Sequence, residues 1–245
     1  MISSPLTVDW EGLPTLKIVL HGPSAAGKTS ALRIINAIRK IEDPELVVSE
    51  LQMLEDEVGR TLFFDKGLFQ TPKIKGQLLE RFRFQIWTTP GEERHKTQRD
   101  IIIKGAHGIL LLLDFDNRSW EDNLNAIKFT AEKVKEGLPV VTFINKNDIP
   151  SSDRTPKSEL IEILVDEGIL HSKTKASDFV MTGSCLTARN DLLALLKKDN
   201  ILDLVTHEGT LKPEHRPGSV NLIIRPLQKL IQVSLRKALD NYEKV

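Results

Sequence analysis

A glycine-framed loop that ends in a lysine and a threonine has the residue types and spacing for phosphate chemistry. The segment HGPSAAGKTSAL, residues 21–32, fits the pattern G-x-x-x-x-G-K-[ST] between an apolar run and a helical pattern. Backbone N–H groups of such a loop converge on a phosphate, and the positive end of the following helix adds to the attraction. The predicted phosphate-binding residues are Gly22, Ser24, Ala25, Ala26, Gly27, Lys28, Thr29 and Ser30.

The lysine and the threonine of this loop have separate expected roles. The ammonium of Lys28 can bridge the β- and γ-phosphates of a nucleotide, and the Thr29 hydroxyl can ligate Mg²⁺. Mg²⁺ is therefore the predicted cofactor. The alternative is a glycine turn followed by a surface lysine, which the flanking strand and helix patterns disfavour.

A second segment, FINKNDIP at residues 143–150, has the residues to choose a base. The Asp148 carboxylate can accept hydrogen bonds from both N1–H and the exocyclic amine of guanine, whereas adenine presents no N1–H. A site built on such bonds rejects the wrong base, because a buried carboxylate without partners is costly. With Asn145 at the strand end and the Lys146 stem along the base, the segment predicts a guanine nucleotide.

These two motifs resemble those of the small GTPases of the Ras and Arf superfamily, over about residues 15–200. GPSAAGKT is similar to the Arf version of the phosphate loop, while EDEVGRTLFFD followed by FQIWTTPGEE resembles the MglA-type GTPases of bacteria and archaea. The resemblance implies that Thr61 contacts Mg²⁺ and the γ-phosphate, and that the Gly91 N–H meets the γ-phosphate. TGSCLT is similar to the guanine-side loop, which adds Ser184, Cys185 and Leu186 to the nucleotide-binding residues.

The residues expected to support hydrolysis depart from the family pattern. Glu92 stands where a water-orienting glutamine is expected. A glutamine accepts from the attacking water and donates to the γ-phosphate, whereas an ionised glutamate only accepts and adds repulsion. We therefore expect slow intrinsic hydrolysis, unless Glu92 acts as a base or one of its neighbours takes part, namely Glu93, Arg94 or His95. Thr88 replaces the aspartate of most small GTPases, as in MglA-like proteins.

Arg60 precedes Thr61, where MglA-like proteins place an arginine thought to act as an internal arginine finger. Such a guanidinium is worth about 10³ to 10⁵ in rate. The alternative is a solvated arginine that balances the acidic run EDE at 55–57. The predicted catalytic residues are Arg60, Thr61 and Glu92, and the predicted metal ligands are Thr29 and Thr61.

The elements that must position these residues alternate between strand and helix patterns. This alternation favours an α/β fold, and the resemblance implies a P-loop NTPase with a mainly parallel six-stranded sheet and helices on both faces. The predicted strands are 16–20, 61–65, 81–87, 108–114, 139–145 and 178–183, the second and third forming an antiparallel edge pair. The predicted helices are 27–40, 119–136, 156–168, 188–206 and one through 227–239.

The expected organisation is an N-terminal extension, residues 1–14, followed by a single GTP-binding domain, residues 15–245. An insertion or extra helix is expected at about residues 188–218, before the C-terminal helix. The acidic segment 42–57 fits a mobile first switch.

Composition limits the partners. The 34 basic and 34 acidic residues give zero formal charge, so we expect no nucleic-acid partner. A single cysteine, no secretory signal, no bilayer-length apolar run and no lipidation motif predict a cytoplasmic protein without a direct lipid anchor. The resemblance implies effector and regulatory proteins as partners, with a Roadblock-type activator among the candidates.

Together these features predict a guanine-nucleotide switch that binds GTP and GDP with Mg²⁺ and hydrolyses GTP, slowly without a partner. Two alternatives stay open. Glu92 favours a GTP-binding scaffold with little or no hydrolysis, and an ATP-dependent kinase or ATPase is disfavoured by NKND at 145–148.

Overall fold

The chain folds around one sheet in the computed structural model, which describes residues 6–53, 64–72, 81–91 and 95–242. Within these ranges the sheet has eight strands. They are β1 (Thr7–Val8), β2 (Pro14–His21), β3 (Val47–Gln52), β4 (Lys66–Gln70), β5 (Arg83–Thr88), β6 (Gly108–Asp114), β7 (Val140–Asn145) and β8 (Val180–Thr182).

The strand order brings the candidate functional segments to one edge of the sheet. The order is β3-β4-β5-β2-β6-β7-β8, with β1 beside β2. Strands β5, β2, β6, β7 and β8 are parallel neighbours, whereas the pairs β1–β2, β3–β4 and β4–β5 are antiparallel. Because parallel strands end at the same edge, the loops after β2, β6, β7 and β8 meet there, as ligand-binding loops do in open α/β sheets.

Eight α-helices of the described residues surround this sheet. They are α1 (Lys28–Glu42), α2 (Lys96–Ile103), α3 (Trp120–Lys135), α4 (Lys157–Asp166), α5 (Ala176–Phe179), α6 (Cys185–Leu196), α7 (Ile201–Thr206) and α8 (Gly218–Tyr242).

Strand β6 shows why helices cover both faces. All seven of its residues are buried, and alternate side chains point to opposite sides. Leu110 and Leu112 pack with residues of α1, α6 and α8, whereas Leu111 and Leu113 pack with residues of α3 and α4. A strand buried on both faces is a continuous apolar run, as GILLLLD is. The predicted P-loop α/β class is therefore confirmed.

Most predicted strands and helices are observed close to their predicted positions. The strand predicted at 108–114 is confirmed without change, and those at 16–20, 81–87, 139–145 and 178–183 correspond to β2, β5, β7 and β8 within three residues at each end. The helices predicted at 27–40, 119–136 and 156–168 correspond to α1, α3 and α4, and the last one lies within α8.

Several predictions about the sheet were wrong. Within the described residues it has eight strands, where six were predicted. Strands β1 and β3 were not predicted because β1 and the exposed, charged β3 lack an apolar pattern. Strand β3 lies in part of the segment predicted to be a first switch. The predicted antiparallel edge pair corresponds to β4–β5, which lies inside the sheet because β3 pairs with the outer side of β4. Of the strand predicted at 61–65, residues 61–63 lie outside the described residues. Within the described range 64–72, strand β4 begins at Lys66, opposite Trp87.

One helix prediction also needed correction, and helix α2 was not predicted. The helix predicted at 188–206 is two helices, because Lys197 takes a left-handed conformation (φ 53°) that ends α6, and the Asn200 side chain caps α7. Helix α2 was not predicted, since its first turn is polar. Among the described residues, no helix is long and apolar enough to cross a bilayer.

Candidate functional site

The loop after β2 wraps around the side chain of Lys28. Its Nζ donates hydrogen bonds to the backbone carbonyls of Gly22 (3.0 Å) and Pro23 (2.6 Å). The residue is 8% exposed, and burial lowers the pKa of its ammonium to about 8, against the attraction of the Asp65 carboxylate. An anion held by this loop would counter that burial, because it stabilises the charged form.

Asn145 ties the phosphate loop to the base segment. Its Nδ2 donates to the Ala26 carbonyl, and its Oδ1 accepts from the backbone N–H of Cys185, both at 2.9 Å. Gly27 lies so close that a Cβ there would overlap the Asn145 amide, and its φ of 95° is left-handed. Only glycine fits this position without strain. The structure thus brings the loops after β2, β7 and β8 together on one side chain.

A cavity of about 300 Å³ lies beside Asn145. Lys146 takes a left-handed conformation (φ 63°), and its ammonium pairs with the fully buried Asp114 carboxylate at the end of β6. Asp148 is exposed, and its carboxylate accepts no hydrogen bond from the described residues. The cavity lining includes nine of the predicted nucleotide-binding residues, namely Ala25, Gly27, Ser30, Asn145, Lys146, Asp148, Ser184, Cys185 and Leu186.

Cys185 begins helix α6 at the wall of this cavity. The Ser184 side chain caps the helix by accepting from the Thr187 N–H at 3.0 Å. Burial and, to a smaller extent, the charge of the Asp148 carboxylate raise the pKa of the Cys185 thiol to about 12, so the thiol is protonated at neutral pH. Its backbone N–H donates to Oδ1 of Asn145.

Thr29, Asp65 and Thr88 form an oxygen-rich group beside the phosphate loop. The fully buried Asp65 accepts through Oδ2 from the hydroxyls of Thr29 (2.6 Å) and Thr88 (3.1 Å). Thr88 Oγ1 also accepts from the Asp65 backbone N–H at 2.8 Å. The described residues hold no cluster of three or more His, Cys, Asp or Glu. The hydroxyl and carboxylate oxygens of Thr29 and Asp65 fit Mg²⁺, which commonly binds one or two protein oxygens and completes its shell with phosphates and waters.

Gly91 packs directly on the phosphate loop. A Cβ on Gly91 would overlap the backbone of Ser24. The segment that leads to Gly91 is fixed by Thr89, whose N–H donates to the Leu20 carbonyl at 3.0 Å and whose Oγ1 lies 2.9 Å from Nδ1 of His21. Burial, followed by the charges of Lys28 and Arg99, lowers the pKa of His21 well below its usual value, so its imidazole is neutral.

The remaining predicted site residues lie outside the described residues. These are Arg60, Thr61 and Glu92, with its neighbours Glu93 and Arg94. The neighbouring His95 is described and precedes helix α2.

Sequence reasoning missed three residues that the structure brings into the site. Asp114 holds Lys146, His21 contacts Thr89, and Asp65 joins Thr29 and Thr88. Asp65 had a signal in the sequence: Thr88 replaces an expected carboxylate, and a nearby carboxylate at a strand end is a candidate to supply it. The contact joins residues 36 positions apart, so only the sheet pairing reveals it.

Comparison with known proteins identifies the family. Residues 17–148 match the family model of the Roc, or Ras of Complex, domain of DAPkinase. The chain is 30% identical to the mutual gliding-motility protein MglA of Myxococcus xanthus over 142 residues, which cover 56% of this chain and 69% of that protein.

Two Rab proteins extend the comparison. Ras-related protein Rab-13 of Canis lupus familiaris is 26% identical over 65% of this chain and 70% of its own length. Ras-related protein Rab-8 of Diplobatis ommata is 26% identical over 91% of this chain and 95% of its own length. The chain therefore belongs to the Ras superfamily of small GTPases and is similar to MglA within it.

Proposed function

We propose that this protein is a molecular switch that binds GTP and GDP with Mg²⁺ and hydrolyses GTP slowly when no partner is present. The single observation that supports it best is Asn145, which bonds the phosphate loop at Ala26 and the base-side loop at Cys185. Through it a phosphate cradle and a cavity with an exposed carboxylate become one continuous site.

The roles proposed for the chain's own residues follow from this arrangement. Lys28 and the loop N–H groups hold the phosphates, and Asp148 accepts from the guanine edge. Lys146, anchored on Asp114, offers its stem to the base face. Gly91, which packs on Ser24, is proposed to donate its N–H to a γ-phosphate.

The nucleotide content of the purified protein tests this proposal. Protein purified in Mg²⁺ buffer without added nucleotide is denatured, and the released nucleotides are separated by anion exchange. We expect GDP and GTP at close to one per chain, and adenine nucleotides near background. Stoichiometric ATP or ADP would support the kinase or ATPase alternative instead.

Thr29 and Asp65 are the described residues proposed to hold Mg²⁺, and Thr61 joins them by resemblance. An Mg²⁺ ion held by these residues would neutralise charge that develops on the phosphates. We expect Asp65→Asn to reduce the gain in GTP affinity on adding Mg²⁺ by about tenfold, because a carboxylate charge near the ion is lost. The affinity measured in EDTA should stay unchanged.

The control for Asp65→Asn is Asp166→Asn, an exposed carboxylate at the end of α4. It should keep the full Mg²⁺ dependence, measured by titration with a fluorescent GTP analogue. If Asp65→Asn keeps it too, Asp65 does not serve the metal.

Hydrolysis is proposed to involve Glu92 and Arg60, both from the resemblance. If Glu92 is an impaired substitute for glutamine, Glu92→Gln should raise the single-turnover rate about tenfold, because it restores a donor and removes a charge beside the γ-phosphate. If Glu92 is the working base, the same change should lower that rate.

Arg60→Ala should lower the rate at least about tenfold and leave GDP affinity almost unchanged.

These rates are measured as phosphate release in a single turnover, from protein loaded with one GTP per chain, with and without a Roadblock-type activator. Glu121→Gln, an exposed change at the start of α3, is the control. Unchanged rates for both variants in both conditions would favour the scaffold alternative.

The wider setting of the protein is proposed on the same basis. We propose residues 15–245 as one GTP-binding domain after an extension at 1–14, with an insertion at about 188–218. A cytoplasmic location, effector and regulatory partners, a Roadblock-type activator and an Arf-like phosphate loop stay predictions.

A further inference from the structure

Helix α7 supplies part of the wall of the base cavity. Ile201 lines this cavity together with the base segment, Arg189 of α6 and the buried Ile34 of α1. Helix α7 lies beyond residues 17–148, which match the family model, and none of the nucleotide motifs includes Ile201. The cavity is thus closed on one side by a segment that the motifs do not identify.

Helix α7 is fixed on the flank of α1 by its own core residue. Leu204 is fully buried in the cluster that contains the apolar face of α1. The Asn200 side chain accepts from the Leu202 N–H at 3.0 Å and sets where the helix begins. Leu202 points outward and is 56% exposed. The three residues 201, 202 and 204 therefore have distinct environments: cavity, solvent and core.

The segment after α7 returns to the end of α1. The N–H group of Gly209 donates to the Lys40 carbonyl near the end of α1 at 2.9 Å. The N–H groups of Thr210 and Leu211 both donate to the Ile41 carbonyl, at 2.7 and 3.0 Å. These bonds satisfy carbonyls that a helix end otherwise leaves unpaired. Further along, Arg216 pairs with Glu42 through two bonds of 2.7 Å, with both side chains largely buried. The segment that follows helix α7 is therefore held on the end of α1.

We propose that helix α7 retains the bound nucleotide, with Ile201 as the residue that contacts its base or ribose. The inference rests on the proposed function, because it assumes that the cavity holds a guanine nucleotide. Apolar side chains of Ile34, Ile149, Leu186 and Ile201 line the cavity, and a planar base buries apolar surface against such residues. Release of the nucleotide would expose that surface again, so Ile201 slows dissociation.

The test measures how fast a fluorescent GDP analogue leaves when excess unlabelled GDP is added. The analogue should leave the Ile201→Ala variant about tenfold faster than it leaves the native protein, since three carbons of apolar contact are lost. The matched control is Leu202→Ala on the same helix, which removes an exposed side chain and should stay within about twofold of native. Leu204→Ala, which loosens α7 from α1, should also speed release.

The outcomes separate this inference from the function on which it rests. Native protein that does not bind the GDP analogue contradicts the proposed function. Tight native binding with equal rates for Ile201→Ala, Leu202→Ala and the native protein overturns the role of α7 alone. Equal acceleration by both alanine variants would also overturn it, because the effect would then not depend on the cavity side chain. Melting temperatures of the variants check that each is folded.

Discussion

Replacing Lys28 with methionine is expected to reduce the affinity for both GTP and GDP by at least about 100-fold. The ammonium is held by the Gly22 and Pro23 carbonyls at the centre of the phosphate loop. Two charge-assisted hydrogen bonds to phosphates, each worth about 1.5–3 kcal/mol, account for a loss of this size. Titration of nucleotide-free protein with a fluorescent GDP analogue measures it.

The same variant should not destabilise the nucleotide-free protein. The pKa of Lys28 is lowered from 10.5 to about 8, so its charge opposes folding below pH 8 by about 3 kcal/mol. That penalty is relieved as the pH rises from 8 to 10.5, because the unfolded chain binds the extra proton in this window. Methionine removes the penalty and roughly keeps the volume. Lys157→Met, at an exposed lysine of α4, is the control for binding. If folded Lys28→Met bound nucleotides with full affinity, the assignment of the loop after β2 as a phosphate-binding loop would be wrong.

Asp148→Asn is expected to weaken GTP binding by about 100-fold or more and to admit xanthine nucleotides. The carboxylate lines the cavity and accepts from two guanine donors in the proposed complex. An amide in its place can donate to the 2-oxo group of xanthine, and it loses the charge that both guanine donors prefer. The ratio of GTP to XTP affinity should therefore reverse.

Competition of unlabelled GTP and XTP against a fluorescent GDP analogue, each extrapolated to zero analogue, measures this ratio. Asp153→Asn is the control, since this exposed carboxylate lies in the same loop but outside the cavity lining. An unchanged GTP preference in Asp148→Asn would mean that another residue reads the base.

The sequence predicts the core of the sheet well because burial leaves a strong pattern. Strand β6 is apolar throughout and was placed without error, while β3, at the exposed edge, carries Ser49, Glu50 and Gln52 and was missed. Edge strands are paired on one side and solvated on the other, so their composition resembles that of a loop. The division between α6 and α7 was missed because a left-handed lysine, Lys197, ends α6 where glycine is usual.

The candidate site was predicted where its residues are neighbours in sequence and missed where they meet only in space. The phosphate loop and the segment from Asn145 to Asp148 are short motifs, each readable from one stretch of chain. Asp65 and Ile201 reach the site through sheet pairing and through the packing of α7 on α1. Neither contact leaves a recognisable pattern in the neighbouring sequence.

The most direct test of the central claim is the affinity of nucleotide-free protein for GTP, GDP and ATP in Mg²⁺ buffer. All three compete against a fluorescent GDP analogue at equilibrium. The predicted result is tight competition by GTP and GDP, with ATP weaker by about 10³-fold or more, because adenine leaves the Asp148 carboxylate unpaired. Equal competition by ATP and GTP, or no competition by any of the three, would contradict the claim that this protein is a guanine-nucleotide switch.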